Sequence, residues 1–208
     1  MAQGVVSFRP ARAEDVDAVV PMIDASGPQA FAWVFQTGPS WGASDFLRAV
    51  FPTGQGQWGF QHHLVGERDG EVVAAGAAYT GAEAAGFLLT SVRQFLTVCG
   101  PLATPGVAAR GLCLERILPP PGREVLYLCH LGVVPEARSQ GIGWQLVDAL
   151  VAWRGPERVL ELDVALDNPR AEALYRRLGF TQVWDRQSTL RNRWADVPGH
   201  RRMRRDPA

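Results

Sequence analysis

The sequence predicts an α/β fold in which a mixed β-sheet carries helices packed on it, with an α-helical insertion near the middle. Three observations predict it. Strand-like and helix-like segments alternate through the C-terminal half, from Glu124 to Arg204. A turn containing Gly141 and Gly143 joins a buried strand to a helix. Within Gly81 to Arg123, two stretches space their apolar residues as helices do. The 208 residues suit a single domain spanning 1–208, with the insertion at about 81–123.

The elements follow in order. Val5 to Phe8 reads as a short strand ended by Pro10, and Ala13 to Ile23 as an amphipathic helix with Glu14, Asp15 and Asp17 at its positive end. Gly27 and Pro28 break it. Two short helices are expected over Ala30 to Phe35 and Ser44 to Phe51, separated by Gly38, Pro39 and Gly42. Their aromatic residues Phe31, Trp33, Phe35, Trp41, Phe46 and Phe51 read mainly as core. Phe60 to Glu67 and Glu71 to Tyr79 flank Arg68-Asp69-Gly70, a hairpin signal because glycine accepts positive φ. Phe87 to Val98 and Val107 to Leu118 are the insertion's helices, separated by Gly100, Pro101 and Pro105 and closed by Pro119-Pro120-Pro121-Gly122. Then come a strand over Glu124 to Val134, a helix from about Ser139 to Arg154 and a strand over Val159 to Ala165. A helix over Pro169 to Leu178 follows, closed by Gly179, with strands over Phe180 to Asp185 and His200 to Arg204.

Composition bounds the function classes. Apolar residues make up 47% and formal net charge is zero, so the chain can bury a core but shows no bulk charge for nucleic acid or a polybasic membrane anchor. Val72 to Leu89 is too rich in Ala and Gly, and too polar at Tyr79, Thr80 and Glu83, to make a membrane span. Met1 to Pro10 lacks the pattern of a secretory leader, and Cys99, Cys113 and Cys129 match no metal spacing. Reduced thiols in a cytoplasmic setting are the expectation.

The sharpest motif is Leu131-Gly132-Val133-Val134-Pro135-Glu136-Ala137-Arg138-Ser139-Gln140-Gly141-Ile142-Gly143-Trp144. Helix N-termini leave backbone N–H groups unpaired and carry partial positive charge, so phosphate binds there. Gly141 and Gly143 lack a Cβ and allow close approach, and Arg138 adds a charged donor. A P-loop would need a Lys after its glycines, and a dinucleotide fingerprint would need a third glycine where Leu146 stands. A tight turn without a ligand is the remaining alternative.

The second motif runs Leu162-Asp163-Val164-Ala165-Leu166-Asp167-Asn168-Pro169-Arg170-Ala171-Glu172-Ala173-Leu174-Tyr175-Arg176-Arg177-Leu178-Gly179-Phe180. Arg-x-x-Gly-x-Gly after Val-x-Pro, followed by this strand, Asn, short helix and Leu-Gly-Phe, resembles the GNAT superfamily of N-acetyltransferases. The likeness is strong from Leu126 to Phe180, weaker at Ser7 to Ile23 and in the hairpin, and absent over Gly81 to Arg123. It implies a GNAT fold whose sheet splays between the strands at Leu126–Val134 and Val159–Ala165, with acetyl-CoA as cosubstrate and no metal. By the same resemblance, backbone groups of Leu131 and Val133 would hold pantetheine. Arg138, Gln140, Gly141, Ile142, Gly143 and Trp144 would surround the diphosphate. Asn168 would bond near pantetheine, with Ala171 packed beside it. Tyr175 would give a proton or hydrogen bond to the departing thiolate, or else only pack on the cofactor. Homodimers are common in the superfamily.

The base that strips the acceptor amine is not assigned. Where the family often carries an acid or His, this chain has Tyr127. Counting back from Val133 at strand period two puts Leu131, Cys129 and Tyr127 on one face and His130 on the other, which argues against His130. Glu83 and an ordered-water relay are further candidates. His62 and His63 read as surface or edge residues more readily than as metal ligands. The run His200-Arg201-Arg202-Met203-Arg204-Arg205 reads as an edge strand with solvated arginines, which disfavours the nucleic-acid alternative. An acceptor pocket is expected between the N-terminal helices and the insertion, where Phe31, Trp33, Phe35 and Phe87 would suit an amine with an apolar body. Transfer of a longer acyl chain and a catalytically silent acyl-CoA-binding module are the rivals.

Overall fold

A computed structural model describes residues 4–38, 40–155 and 158–207. Pro39, one of the expected helix separators, and the first three residues of the segment weighed as a leader lie outside the described residues. The strands are β1 (Ser7–Pro10), β2 (His63–Arg68), β3 (Glu71–Thr80), β4 (Leu126–Val133), β5 (Leu160–Ala165), β6 (Thr181–Arg186) and β7 (His200–Arg205). The helices are α1 (Val16–Ser26), α2 (Pro28–Phe35), α3 (Ala43–Val50), α4 (Gly81–Val98), α5 (Gly100–Leu114), α6 (Ile142–Arg154) and α7 (Pro169–Arg177).

Asp69 (φ 54°) and Gly70 (φ 84°) both take positive φ, the twist-matching geometry of a tight hairpin turn, and so join β2 to β3 in antiparallel register. The sheet has seven strands in the order β1-β2-β3-β4-β5-β7-β6. Every neighbouring pair is antiparallel except β4 and β5, whose pairing is confined to Leu126 with Leu160 and Tyr127 with Glu161. Beyond those two rows the strands part. The expected splay is therefore present, and it opens toward the C-terminal ends of β4 and β5.

Each face of the sheet has its own core. On one, Val65 and Ala75 lie beneath Val19, Val20 and Ile23 of α1 and an aromatic cluster. Phe35 stacks on Phe46 at 4.2 Å, and Trp58 and Phe95 meet both edge-on or tilted. Phe95 belongs to the insertion, which thus shares the core of the N-terminal helices. On the other face, Leu64, Ala74, Ala78, Leu126 and Leu128 pack with Leu146 and Leu150 of α6 and Tyr175 of α7.

The insertion's helices start earlier than their apolar spacing indicates. Thr80 Oγ1 accepts from Glu83 N at 3.2 Å while Thr80 N donates to Glu83 Oε2 at 2.7 Å, a capping box that sets the start of α4 at Gly81. Pro101 falls in the first turn of α5, where a missing N–H costs no hydrogen bond, so α5 begins at Gly100. Among the described residues no helix is long and apolar enough to cross a membrane.

Two expectations are corrected. The arginine-rich strand is not an edge, because β7 lies between β5 and β6. Arg202 is 4% exposed and donates to Asp163 Oδ1 (3.0 Å), Asp163 Oδ2 (2.6 Å) and Pro119 O (2.6 Å), with Glu161 at 3.4 Å. Arg204 pairs with Glu161, and Arg201 with Asp185 and Glu172. The acids of neighbouring elements, invisible in the local run, neutralise it. His63 is likewise no surface residue but fully buried, because it opens the interior strand β2 under Phe51.

Removing the buried cation leaves the buried Asp163 carboxylate without a cationic partner, while Glu161 keeps Arg204, so Arg202→Met should lower the unfolding free energy by about 3–5 kcal/mol. Urea denaturation measures it, and a loss below about 1 kcal/mol would show that Arg202 does not hold these acids.

Candidate active site

An interior strand is ordinarily buried along its length, but β4 is half-exposed from Cys129 through Val133. The parting of β5 is the cause. Val134 N–H donates to Val73 O, so strand alternation turns the backbone groups of Leu131 and Val133 away from β3 and toward the opening. Arg138 Nε already donates to Val133 O at 3.0 Å.

The cradle lies at the end of this strand. Ser139 (φ 65°) and Gly141 (φ 79°) turn the chain through left-handed conformations, and Gly141 is the N-cap of α6. The first-turn N–H groups at Ile142 and Gly143 have no intrahelical acceptor. Gly143 also serves packing, since a Cβ there would lie 3.2 Å from Leu174 Cδ2 of α7. Trp144 stands half out of the first turn. Sequence reasoning missed two guanidinium groups beside the loop. Arg68 Nη1 donates to Gln140 Oε1 at 2.6 Å from the β2–β3 turn, and Arg170 Nη2 to Ser139 Oγ at 2.9 Å from α7. A cavity of about 250 Å³ adjoins, lined by Val6, Arg68, Gln140, Ile142 and Gln145 among others.

The second motif brings α7 against α6. Asn168 Oδ1 accepts from Ala171 N at 3.1 Å and caps the helix, leaving the amide nitrogen of Asn168 as its remaining donor. Ala171 and Leu174 pack on the α6 side core. Tyr175 is 8% exposed, its ring 6.1 Å from Phe180, and its hydroxyl has no partner among the described residues. Burial pushes its pKa up to about 12, so the phenol stays protonated and able to donate.

His130 does not lie on the face that a strand period of two assigns it. Ala75 pairs with Gly132 but Ala77 with Cys129, so two steps of β3 oppose three of β4. This bulge centres on His130, which takes φ 55°. Past it the faces exchange: Leu131 lies beneath Gly76 on the α6 side, and Gly132 lies against Met22 of α1. Cys129 shares a row with Ala77 and His63, and the His130 ring reaches the same side. There His130 Nδ1 is 3.2 Å from His63 Nε2, and its ring is 6.0 Å from Phe31.

The other candidate bases are structural. Tyr127 donates to Asp163 Oδ2 at 2.7 Å, and burial together with Asp163 holds its pKa well above the ordinary tyrosine range. Glu83 caps α4 and pairs with Arg154 of α6. Of the expected pocket aromatics, Trp33 and Phe35 are spent in the core. Phe31 stays half-buried, and Phe87 lines a cavity of about 340 Å³ along α4 with His62, Glu83 and Thr90. Among the described residues no three His, Cys, Asp or Glu side chains gather as a metal site needs.

A sequence profile of the Acetyltransferase (GNAT) family matches residues 30–180. The chain belongs to the GNAT family. It is an N-acetyltransferase by that membership, and the fold agrees. An N-acetyltransferase from Staphylococcus aureus Mu50 superposes with a TM-score of 0.73 at 15% identity, over 95% of this chain and 99% of that one. A GCN5-related N-acetyltransferase from Kribbella flavida gives 0.56 at 18% identity, over 97% of each chain. The polyamine N-acetyltransferase of Drosophila melanogaster gives 0.56 at 16% identity, over 97% and 100%. Among curated proteins none matches the chain in sequence.

The GNAT chain thus presents a strand edge that β5 leaves unpaired and, following it, a helix N-terminus whose loop Arg68, Arg138 and Arg170 adjoin. These groups fit a thioester cosubstrate carrying a diphosphate. Glu83 offers a pH test of its structural role. Burial alone would raise its pKa, but hydrogen bonds from Arg154 and Thr80 outweigh that and bring it from 4.5 to about 2. A carboxylate depressed on folding stabilises the protein fully above its unfolded value and loses that contribution as pH falls toward its folded one. The stability gap between the parent chain and Glu83→Gln should therefore close between pH 4.5 and about 2. Thermal denaturation across that range checks it; a gap independent of pH would place the effect elsewhere.

Proposed function

We propose that this enzyme moves an acetyl group from acetyl-CoA directly to a primary amine in a ternary complex, with the whole chain acting as one GNAT domain. The observation that carries the proposal is the half-exposed interior strand β4, whose free backbone edge leads into the cradle before α6. Leu131 and Val133 would pair with the pantetheine amides as a missing strand would. Arg138, Gln140, Gly141, Ile142, Gly143 and Trp144 would surround the diphosphate, with Asn168 and Ala171 beside pantetheine.

Acetyl-CoA supplies an acyl carbon activated by a thiolate leaving group. A neutral amine nitrogen forms the new C–N bond as the C–S bond breaks. Tyr175 gives its hydroxyl proton to the departing sulfur, which its burial and unpartnered hydroxyl suit. The amine reaches the acyl carbon from the α1–α2 side, where Phe31 and His130 border the strand. Phe31 there and Phe87 in the α4 cavity favour an acceptor with an apolar body. Nothing in the comparisons favours the silent binding module.

Added acetyl-CoA should raise the unfolding free energy by RT ln(1 + [L]/Kd), about 2.7 kcal/mol at a hundredfold excess over Kd, and the thermal midpoint with it, while NAD leaves the midpoint unchanged. No rise at millimolar acetyl-CoA would end the proposal. Tyr175→Phe should lower kcat by roughly tenfold to a thousandfold at saturating acetyl-CoA. Steady-state kinetics on a panel of 2-phenylethylamine, agmatine and spermidine measures it; an unchanged kcat removes Tyr175 as the acid, and turnover of spermidine alone removes the apolar-acceptor reading.

A further inference from the structure

We propose that His63 and His130 form a two-ring relay, fixed by the Gly59 carbonyl, whose outer nitrogen, His130 Nε2, takes the acceptor's proton; the role rests on the acetyl-transfer reading above. Gly59 O can only accept a hydrogen bond, and His63 Nδ1 lies 2.9 Å from it, so Nδ1 carries the hydrogen. A neutral imidazole has one N–H. His63 Nε2 is then an acceptor, and His130 Nδ1, 3.2 Å away, must be the donor. By elimination, the lone pair of His130 sits on Nε2. The rings lie within 9° of parallel with centroids 5.3 Å apart, and the nitrogen-to-nitrogen approach meets hydrogen-bond geometry, so the bond runs near the ring planes.

Two further observations point from this pair to chemistry. His130 holds a left-handed backbone conformation that is unfavourable for an L-residue, and such strain persists where the surroundings enforce it, often at functional sites. The strain turns the ring to the α1–α2 side of the half-exposed stretch of β4, whereas Tyr175 packs on the opposite side. Proton removal and proton delivery are thereby separated by the strand. Burial beneath Phe51 and Phe31 also keeps both rings neutral: His63 titrates near 4 and His130 well below its ordinary value. The two rings are each other's titratable neighbour, and among the described residues His62 also acts on His63.

The step balances. As the C–N bond forms, the amine proton passes to His130 Nε2. The Nδ1 proton of His130 can then shift to His63 Nε2, leaving a His63 imidazolium that donates both to Gly59 O and to His130 Nδ1. The imidazolium then gives its proton to solvent, and Tyr175 regains one from water after the thiol leaves.

The test uses the full chain with ¹⁵N-labelled histidine and the panel amine of highest kcat/KM. Ring ¹⁵N spectra should show His130 as the single Nδ1–H tautomer. His130→Gln should lower kcat by roughly a hundredfold to ten-thousandfold with the acetyl-CoA KM within about twofold. His63 is a positioning residue, so His63→Gln, which keeps an acceptor oxygen, should retain more kcat than His63→Phe at equal amine KM. A packing role under Phe51 would reverse that order and overturn the proposal. So would an Nε2–H tautomer at His130 in active enzyme, or an undiminished kcat in His130→Gln. A locked tautomer in a protein that binds acetyl-CoA but acetylates no panel amine would instead sink the acetyl-transfer reading, and the base role with it.

Discussion

Arg202 lies beneath the vertex where β4 and β5 part, and the opening depends on it. Its guanidinium holds Asp163 and Glu161 of β5, while Tyr127 of β4 reaches across to the same Asp163. Tyr127, in the last row where the backbones still pair, joins the strands through its hydroxyl to Asp163, two residues further along β5. A buried cluster of this kind gains little net stability over an apolar one, because desolvation offsets most of the attraction. What it supplies is position. The vertex is fixed at Tyr127, so past it β4 keeps β3 on one side but has no partner strand on the other, and the backbone groups of Leu131 and Val133 face the opening.

A strand with a free edge inside a sheet is costly unless something occupies or covers it. Here the edge is continuous with the cradle, since the chain leaves Val133 and enters the Ser139–Gly141 turn within a few residues. Arg138 folds back onto Val133 O, and Arg68 and Arg170 brace the turn from β2 and α7. Donors for a chain of amides and donors for a diphosphate lie end to end. The bulge at His130 adds the second dimension, because it gives one short strand access to two cores with different chemistry: a protonated phenol on the α7 side and neutral imidazoles on the α1–α2 side.

What was legible in the sequence was local. The cradle and the Asn168–Phe180 motif are contiguous, and the rules that shape them, glycine at positive φ and Asn at a helix cap, act over a few residues. The hairpin turn at Asp69-Gly70 was readable for the same reason. What failed was non-local or broke a period. Parity assigned His130 to the wrong neighbours because a bulge resets it, and the residue at its positive φ is a histidine rather than a glycine. The arginines of β7 looked solvated because their partners Glu161, Asp163, Glu172 and Asp185 come from other elements. Glu83 looked free because Arg154 approaches from a helix on the opposite side of the sheet. The start of α4 was missed because its signal is the capping pair Thr80 and Glu83, which lies outside the apolar repeat.

The insertion is the part of this chain that the family motifs leave unspecified, yet it is built into the same mechanics. Phe95 completes the aromatic core of α2 and α3, and Arg110 of α5 donates to Val34 O at the end of α2. Past α5 the chain returns to β4 through Pro119, whose carbonyl accepts from Arg202 at 2.6 Å. One guanidinium therefore ties the insertion to the vertex of the splay. Residues lining the α4 cavity, apart from Glu83 with its pair to Arg154 of α6, can change with little effect on the cradle, because the two lie at opposite ends of β3. Replacing the segment wholesale would remove a hydrogen bond from the group that fixes where the strands part. In the proposed transfer, acceptor choice is thus free to vary along α4, while the register of the opening constrains how the insertion must end.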